Sequence, residues 1–198
     1  MIANLRSTVT LVLAASGVAK GFSKLPRHLA PRAGITTSLS AVEGRLVEAG
    51  ITLPPPGLPK ANYNLVSRDG DLLYLSGHLP AVNGVDLMVG RLTPEGGGGL
   101  TVDEGYDAAK WCALNLVSTI KEELGGNLDR VVKVVKIFGI VAGSDDFQSQ
   151  HLVMNGASDI LGEIFGKEVG GTHARSAIGT NSLPLGIPVE VEAIVRIK

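Results

Sequence analysis

The chain closes on His173-Ala174-Arg175-Ser176, then Leu183-Pro184, then Val189-Glu190-Val191-Glu192-Ala193. Alternation of apolar and polar residues around a proline-bearing break reads as strand, turn, strand. That reading sets an arginine and a carboxylate on neighbouring strands. Arginine's planar fork matches the two oxygens of a carboxylate, and a glutamate beside it can hold a water or move a proton. The plainer reading of the same residues is an Arg–Glu cross-strand pair that only trims the sheet surface. Glu192 follows Glu190 at the strand period, so both face one side and both are candidates for holding the water.

Upstream, the pattern alternates between strand and helix. Ser38 to Ala49 reads as a short helix, with Ser40 and Glu43 at capping-box spacing and Leu46 and Val47 as its apolar face. Leu53-Pro54-Pro55-Pro56-Gly57 is a stiff extended connector. Tyr63 to Ser67 and Leu72 to Ser76 read as two strands joined by the turn Arg68-Asp69-Gly70-Asp71. Gly77 to Gly90 reads as a loop or edge region. Gly96 to Gly99 lacks the lysine and hydroxyl residue of a phosphate-binding loop and reads as a surface turn. Thr101 with Glu104 opens the strongest helix, in which Ala109, Cys112, Ala113, Leu116, Val117, Ile120 and Leu124 recur at helical spacing until Gly125-Gly126. Val131 to Val141 is a long β-branched strand. About Leu152 to Phe165 forms a second long helix with Ile160, Leu161, Ile164 and Phe165 inward. The order strand–strand–helix–strand–helix–strand–strand predicts an α+β domain, a single mixed sheet with two helices packed on one face. The bare face needs cover, which predicts a homo-oligomer.

Composition narrows the function. The net charge of -1 and an aromatic content of 4% offer neither a basic field for a phosphate backbone nor stacking platforms for bases, which argues against nucleic-acid binding. The lone Cys112 excludes an internal disulfide and a cysteine-based zinc site. It sits in the apolar run Trp111-Cys112-Ala113-Leu114 and reads as a small buried hydrophobe. His28, His78, His151 and His173 show no metal-ligand spacing, and His78 and His173 read as structural or rim residues. No metal site is expected.

The first 37 residues differ from the rest. The first acidic residue is Glu43, while Arg6, Lys20, Lys24, Arg27 and Arg32 precede it among serines and threonines. This is the composition of an organelle transit peptide, and a mitochondrial address is expected. The run Thr8 to Ala15 after Arg6 supports a rival secretory-signal reading, and an extension without an address would leave the protein cytoplasmic. The run is too short to span a bilayer, and no membrane partner is expected.

Several short pieces then occur in order: Ala61-Asn62-Tyr63, Leu75-Ser76-Gly77-His78-Leu79-Pro80, Asp129-Arg130-Val131-Val132-Lys133, Asp146-Phe147, Met154-Asn155-Gly156, Ala174-Arg175-Ser176, Leu183-Pro184 and Val189 to Ala193. With them the sequence resembles the Rid family, also called YjgF and often labelled endoribonuclease L-PSP, over residues 38–198. The resemblance implies a chorismate mutase-like fold and a homotrimer with clefts between adjacent subunits. It implies hydrolysis of enamine or imine intermediates, such as 2-aminoacrylate, to a 2-oxo acid and ammonia, with no metal or organic cofactor. By the motif match, Arg175 grips the substrate carboxylate and Glu190 positions the attacking water. Tyr63, Ser76 and Asn155 line the cleft, and Gly77 brings backbone close to the ligand. Three features depart from the pattern and mark a divergent branch. Many deaminases of the family carry cysteine where this chain has Ala177. The stretch Gln148 to Val153 is longer than in the short members. A helical N-terminal segment and a polyproline connector precede the first strands. The alternative function is a non-catalytic module of the same fold that binds a small carboxylate ligand. A ribonuclease reading is the third, and the charge and aromatic content oppose it.

Overall fold

The computed structural model describes residues 40–95 and 97–198. The expected targeting segment over residues 1–37, the first two residues of the expected first helix and Gly96 lie outside the described residues.

Helix α1 spans Ala41–Glu48, with the Ser40 side chain accepting from Glu43 N at 3.3 Å. Val42 and Leu46 are its buried residues, whereas Val47 is 66% exposed and does not belong to the apolar face expected for it. The Asp129 carboxylate accepts from Ala41 N and Val42 N, both at 3.0 Å, so a distant acidic residue satisfies the other donors of the helix start.

Strands β1, Val66–Asp69, and β2, Leu72–His78, form an antiparallel hairpin whose turn uses Gly70 at φ +59°. The first strand begins at Val66, later than Tyr63; just ahead of it Leu65 O still accepts from Ser76 N at 3.0 Å, whereas Asn64 O is taken by the Ser76 side chain. The following loop holds a small hairpin of its own, β3, Ala81–Val82, and β4, Asp86–Leu87. Helix α2, Val102–Glu123, starts with the full Thr101–Glu104 capping box and buries all seven residues expected at its face or its end. Strand β5 is Val131–Ala142. The expected helix after it is broken at Met154 into α3, Gln150–Val153, and α4, Asn155–Phe165. Strands β6, Ala174–Thr180, and β7, Val189–Ile197, complete the fold.

The main sheet has the order β1-β2-β7-β5-β6; β5 and β6 run parallel and the other pairs antiparallel. Helices α3 and α4 make the crossover that a parallel β5–β6 pair demands. The expected α+β class, a mixed sheet with helices on one face, is therefore observed. The core lies between that face and α2 and α4: Leu73, Val134, Ile137, Val141, Val189, Val191 and Val195 from the sheet meet Cys112, Leu116, Ile120, Ile160 and Ile164. Strand β7 shows the division most clearly, with Val189, Val191, Ala193, Val195 and Ile197 buried and the residues between them less so. The opposite face bears Tyr74, Phe138, Ile140, Ile178 and Ile194 without a covering layer from the described residues of the chain.

The strand order corrects one expectation. Strands β6 and β7 are consecutive in sequence but not neighbours, because β5 lies between them. Arg175 pairs with Ile137 and Glu190 with Ile140, so no Arg–Glu cross-strand pair exists. Sequential strands usually neighbour one another; here the long β5 pairs on both edges and separates them.

Candidate functional site

The expected site residues fall into two groups. The first gathers where β6 meets the start of α4. Arg175 is in register with buried Ile137, so it projects on the helix side of the sheet. Its Nη1 donates to Asn155 Oδ1 at 3.0 Å and to Ser158 Oγ at 2.9 Å, and its Nη2 donates to His151 O at 3.0 Å. Asn155 is thus in direct contact with Arg175. The break at Met154 makes this possible, because it starts α4 with Asn155 facing the edge strand.

A guanidinium has five N–H donors. Three are engaged, and among the described residues no acceptor takes Nε–H or the second Nη2–H. Nε and Nη2 lie on one edge of the plane, the edge that receives a carboxylate through two parallel bonds. The arginine is half-buried and held through both Nη atoms, and its Nε–H has no acceptor among the described residues.

The second group lies on the opposite face. Glu190 and Glu192 pair with Ile140 and Phe138 and share that face, as their spacing predicted. Burial raises the Glu190 carboxyl above its ordinary range, and the neighbouring Glu192 charge adds to the effect. The β2–β7 register is irregular between Leu75 and His78. This bulge places Gly77 against Glu190 so closely that a Cβ on Gly77 would fall on the glutamate's carboxylate. Ser76 lies beside it, donating its hydroxyl to Asn64 O at 2.7 Å. Tyr74, Ser76, Lys136, Phe138 and Glu192 line a cavity of about 410 Å³ on this face. Gly77 also borders a recess of about 100 Å³ walled by Leu58, Leu65, Leu79 and Val85.

Tyr63 joins neither group by a direct bond. It is 40% exposed on the segment pinned to β2, and its phenol oxygen accepts from Lys60 N at 3.5 Å. His78 is buried, with Nδ1–H donating to Ser76 O at 2.7 Å and Nε2 accepting from the Thr119 hydroxyl at 2.8 Å. Cys112 is buried beneath Val189, as its apolar run suggested; burial first, then the Glu190 charge, pushes its thiol well up. Among the described residues no group of three His, Cys, Asp or Glu side chains could hold a metal ion.

Two polar residues at Arg175 were not foreseen as a unit. Ser158 is three residues after Asn155 on one helix, and His173 is two residues before Arg175 on the approach to β6. Both spacings place side chains on a shared face, and that was the available signal.

Comparison with known proteins agrees with this architecture. The family model described as "YjgF/chorismate mutase-like, putative endoribonuclease" matches residues 43–194. Protein TCP17 of Trypanosoma cruzi is 44% identical over 156 residues, 79% of this chain and 94% of that protein. The crystal structure of Atu1372 from Agrobacterium tumefaciens, a protein of unknown function, is 40% identical with a TM-score of 0.69, covering 79% of this chain and 94% of that one. A Shewanella oneidensis structure described as a "putative endoribonuclease" is 29% identical with a TM-score of 0.72, covering 80% of this chain and all of that one. The mixed sheet, the one-sided helices and the match across most of the chain place this protein in the YjgF/Rid family.

Proposed function

We propose that this protein hydrolyses carboxylate-bearing imine or enamine intermediates, 2-aminoacrylate being the simplest, to a 2-oxo acid and ammonia. The observation that carries this reading is an Arg175 fixed by Asn155, Ser158 and His151 with donors still unpaired, Nε–H among them, for a carboxylate to take. A preorganised donor pair of that shape selects a small carboxylate and loses little freedom on binding it.

In one chain Arg175 and Glu190 face opposite sides of the sheet, so a substrate held by the arginine needs Glu190 from a second copy. The uncovered apolar face supplies a surface for such an assembly. The family resemblance implies a homotrimer for that assembly, with each cleft built from two copies. An enamine such as 2-aminoacrylate first tautomerises to its imine, a proton moving from nitrogen to the β-carbon. The carboxylate of the imine sits on Arg175. Glu190 takes a proton from a water as its oxygen adds to the C=N carbon. The proton passes to nitrogen to give a carbinolamine; Glu190 then moves the hydroxyl proton to the amine, the C–N bond breaks, and ammonia leaves as the C=O forms. Water is the co-reactant. The imine carbon is already electrophilic, so orientation and one placed water carry much of the acceleration. A raised Glu190 pKa brings the base nearer the working pH.

The test is release of ammonia and 2-oxo acid from 2-aminoacrylate generated in situ by a pyridoxal-phosphate lyase, with wild type and Arg175→Ala side by side. Acceleration by wild type that falls at least about tenfold in the variant is the expected result. No acceleration by an intact assembly would replace this reading with a module that only binds small carboxylates.

A further inference from the structure

His173 stands half-buried at the entry to β6. Its Nδ1 lies 2.6 Å from Gly170 O. A carbonyl oxygen can only accept, so Nδ1 carries the hydrogen. Burial foremost, with the Arg175 charge opposing protonation further, keeps the ring below the ordinary histidine range and hence neutral near pH 7. Nε2 is then an acceptor, 3.0 Å from Ser158 Oγ. The Ser158 hydroxyl has a second acceptor in Met154 O at 3.3 Å, a helical back-bond of longer reach. With its hydrogen on Nε2, Ser158 keeps its lone pairs for Arg175 Nη1 at 2.9 Å. Each link in the series from Gly170 O through His173 and Ser158 to Arg175 Nη1 joins a donor to an acceptor.

We propose that Ser158 and His173 are positioning residues, a two-link relay that fixes the rotation of the Arg175 guanidinium so that its Nε–Nη2 edge stays turned to a substrate carboxylate. This rests on the reading of Arg175 as the carboxylate anchor. The relay acts on the half of the site that binds, and it touches neither the water nor Glu190. Its loss therefore weakens carboxylate affinity and leaves the chemical step alone. It also explains why a neutral side chain with one donor and one acceptor stands at position 173: a lysine or arginine there would set two cations together, and an aliphatic residue would release Ser158 to Met154 O.

The experiment measures affinity for 2-oxobutanoate by calorimetry, and turnover at saturating imine, in wild type, Ser158→Ala, His173→Ala, His173→Gln and Arg175→Ala. Expected are about five- to twentyfold weaker binding in Ser158→Ala and His173→Ala, with saturating turnover within about threefold of wild type. His173→Gln should bind within about twofold of wild type, because a carboxamide can donate to Gly170 O and accept from Ser158 without titrating. Unchanged binding in Ser158→Ala and His173→Ala overturns the relay and leaves the deaminase reading standing. Equal weakening in His173→Gln and His173→Ala also overturns it. Should melting show His173→Ala unfolded, Ser158→Ala and His173→Gln decide the question. Wild type that binds through Arg175 but turns over no imine overturns the deaminase reading, and the same affinities still judge the relay. Wild-type binding that is absent, or unaffected by Arg175→Ala, overturns the anchor and the relay together.

Discussion

Arg175 and Glu190 stand on opposite faces of one sheet, with β5 running between their strands. Rotamer changes cannot bring two such groups to one substrate within a chain. The proposed chemistry is then a property of a pair of copies, one lending the anchor and the next the base.

That division predicts complementation. Arg175→Ala and Glu190→Gln should each be inactive as pure assemblies. Co-expressed in equal amounts and assembled at random, they should regain about one quarter of wild-type activity, because one cleft in four receives Arg175 from one chain and Glu190 from its neighbour. Turnover per cleft on purified mixed assemblies checks this. Activity no higher than in either pure variant would show that a cleft draws both residues from one chain.

The parts of the fold written in local chemistry were legible in the sequence. Thr101 with Glu104 acts within one turn of helix and forms the full capping box as read, whereas at Ser40 only the serine half forms, because the Glu43 carboxylate pairs with Lys121 instead. The helix period of α2 and the strand period of Glu190 and Glu192 likewise need no distant partner. Illegible were the facts that depend on strand order. Nothing in residues 172–198 says that β5 will insert between β6 and β7, so the arginine and the carboxylate looked like neighbours. The family resemblance of their motifs singled out Asn155 and Arg175 separately, and their direct contact is visible only in the fold. Ser158 and His173 have no such motif, and their role becomes visible once α4 is laid against β6.

Glu190 titrates above the ordinary carboxylate range because burial disfavours its charge, with Glu192 adding repulsion. A carboxyl raised in the folded state holds its proton more tightly folded than unfolded. Its stabilising contribution is complete below the unfolded pKa and is lost as pH rises through the folded value. At pH 7 the ionised group is a liability, and Glu190→Gln removes it. The expected outcome is a melting temperature about 1–3 °C higher at pH 7, with turnover reduced about hundredfold or more. Glu192→Gln removes the repulsion alone and should move the acid limb of the rate profile to lower pH. A Glu190→Gln protein that melts below wild type at pH 7 would show that the carboxylate makes a favourable contact in the assembly.

His78 behaves in the opposite sense. Burial lowers its pKa to about 4 against the raising influence of the Ser76 carbonyl. The fold therefore holds it neutral, and its stability is complete above the unfolded pKa of about 6.5 and is lost as pH falls from there toward about 4. Between pH 7 and pH 5 the loss amounts to about 2 kcal/mol. Urea unfolding at fixed protein concentration should show that decrement in wild type. In His78→Gln, which can still donate to Ser76 O and accept from Thr119, the decrement should be smaller by a similar amount. An identical decrement in both would assign the acid sensitivity to other groups.

Two glycines separate site geometry from packing. Gly77 has ordinary negative-φ or extended backbone, so alanine fits the chain there, but its Cβ would displace the Glu190 carboxylate, the far end of a flexible side chain. Gly156 lies at the crossing of α4 and α2, where a Cβ would meet the backbone oxygen of Tyr106 and lie 3.1 Å from Lys110 N. Backbone at both sides leaves that contact no means of relief other than moving a helix. Gly77→Ala should therefore melt within about 2 °C of wild type while losing about tenfold or more in turnover. Gly156→Ala should lose about 1–3 kcal/mol of stability, with turnover per folded protein changing less. Thermal melts and turnover on the same preparations check both variants. A Gly77→Ala enzyme of undiminished rate would place the working carboxylate elsewhere, and Glu192 on the same face would be the one to test.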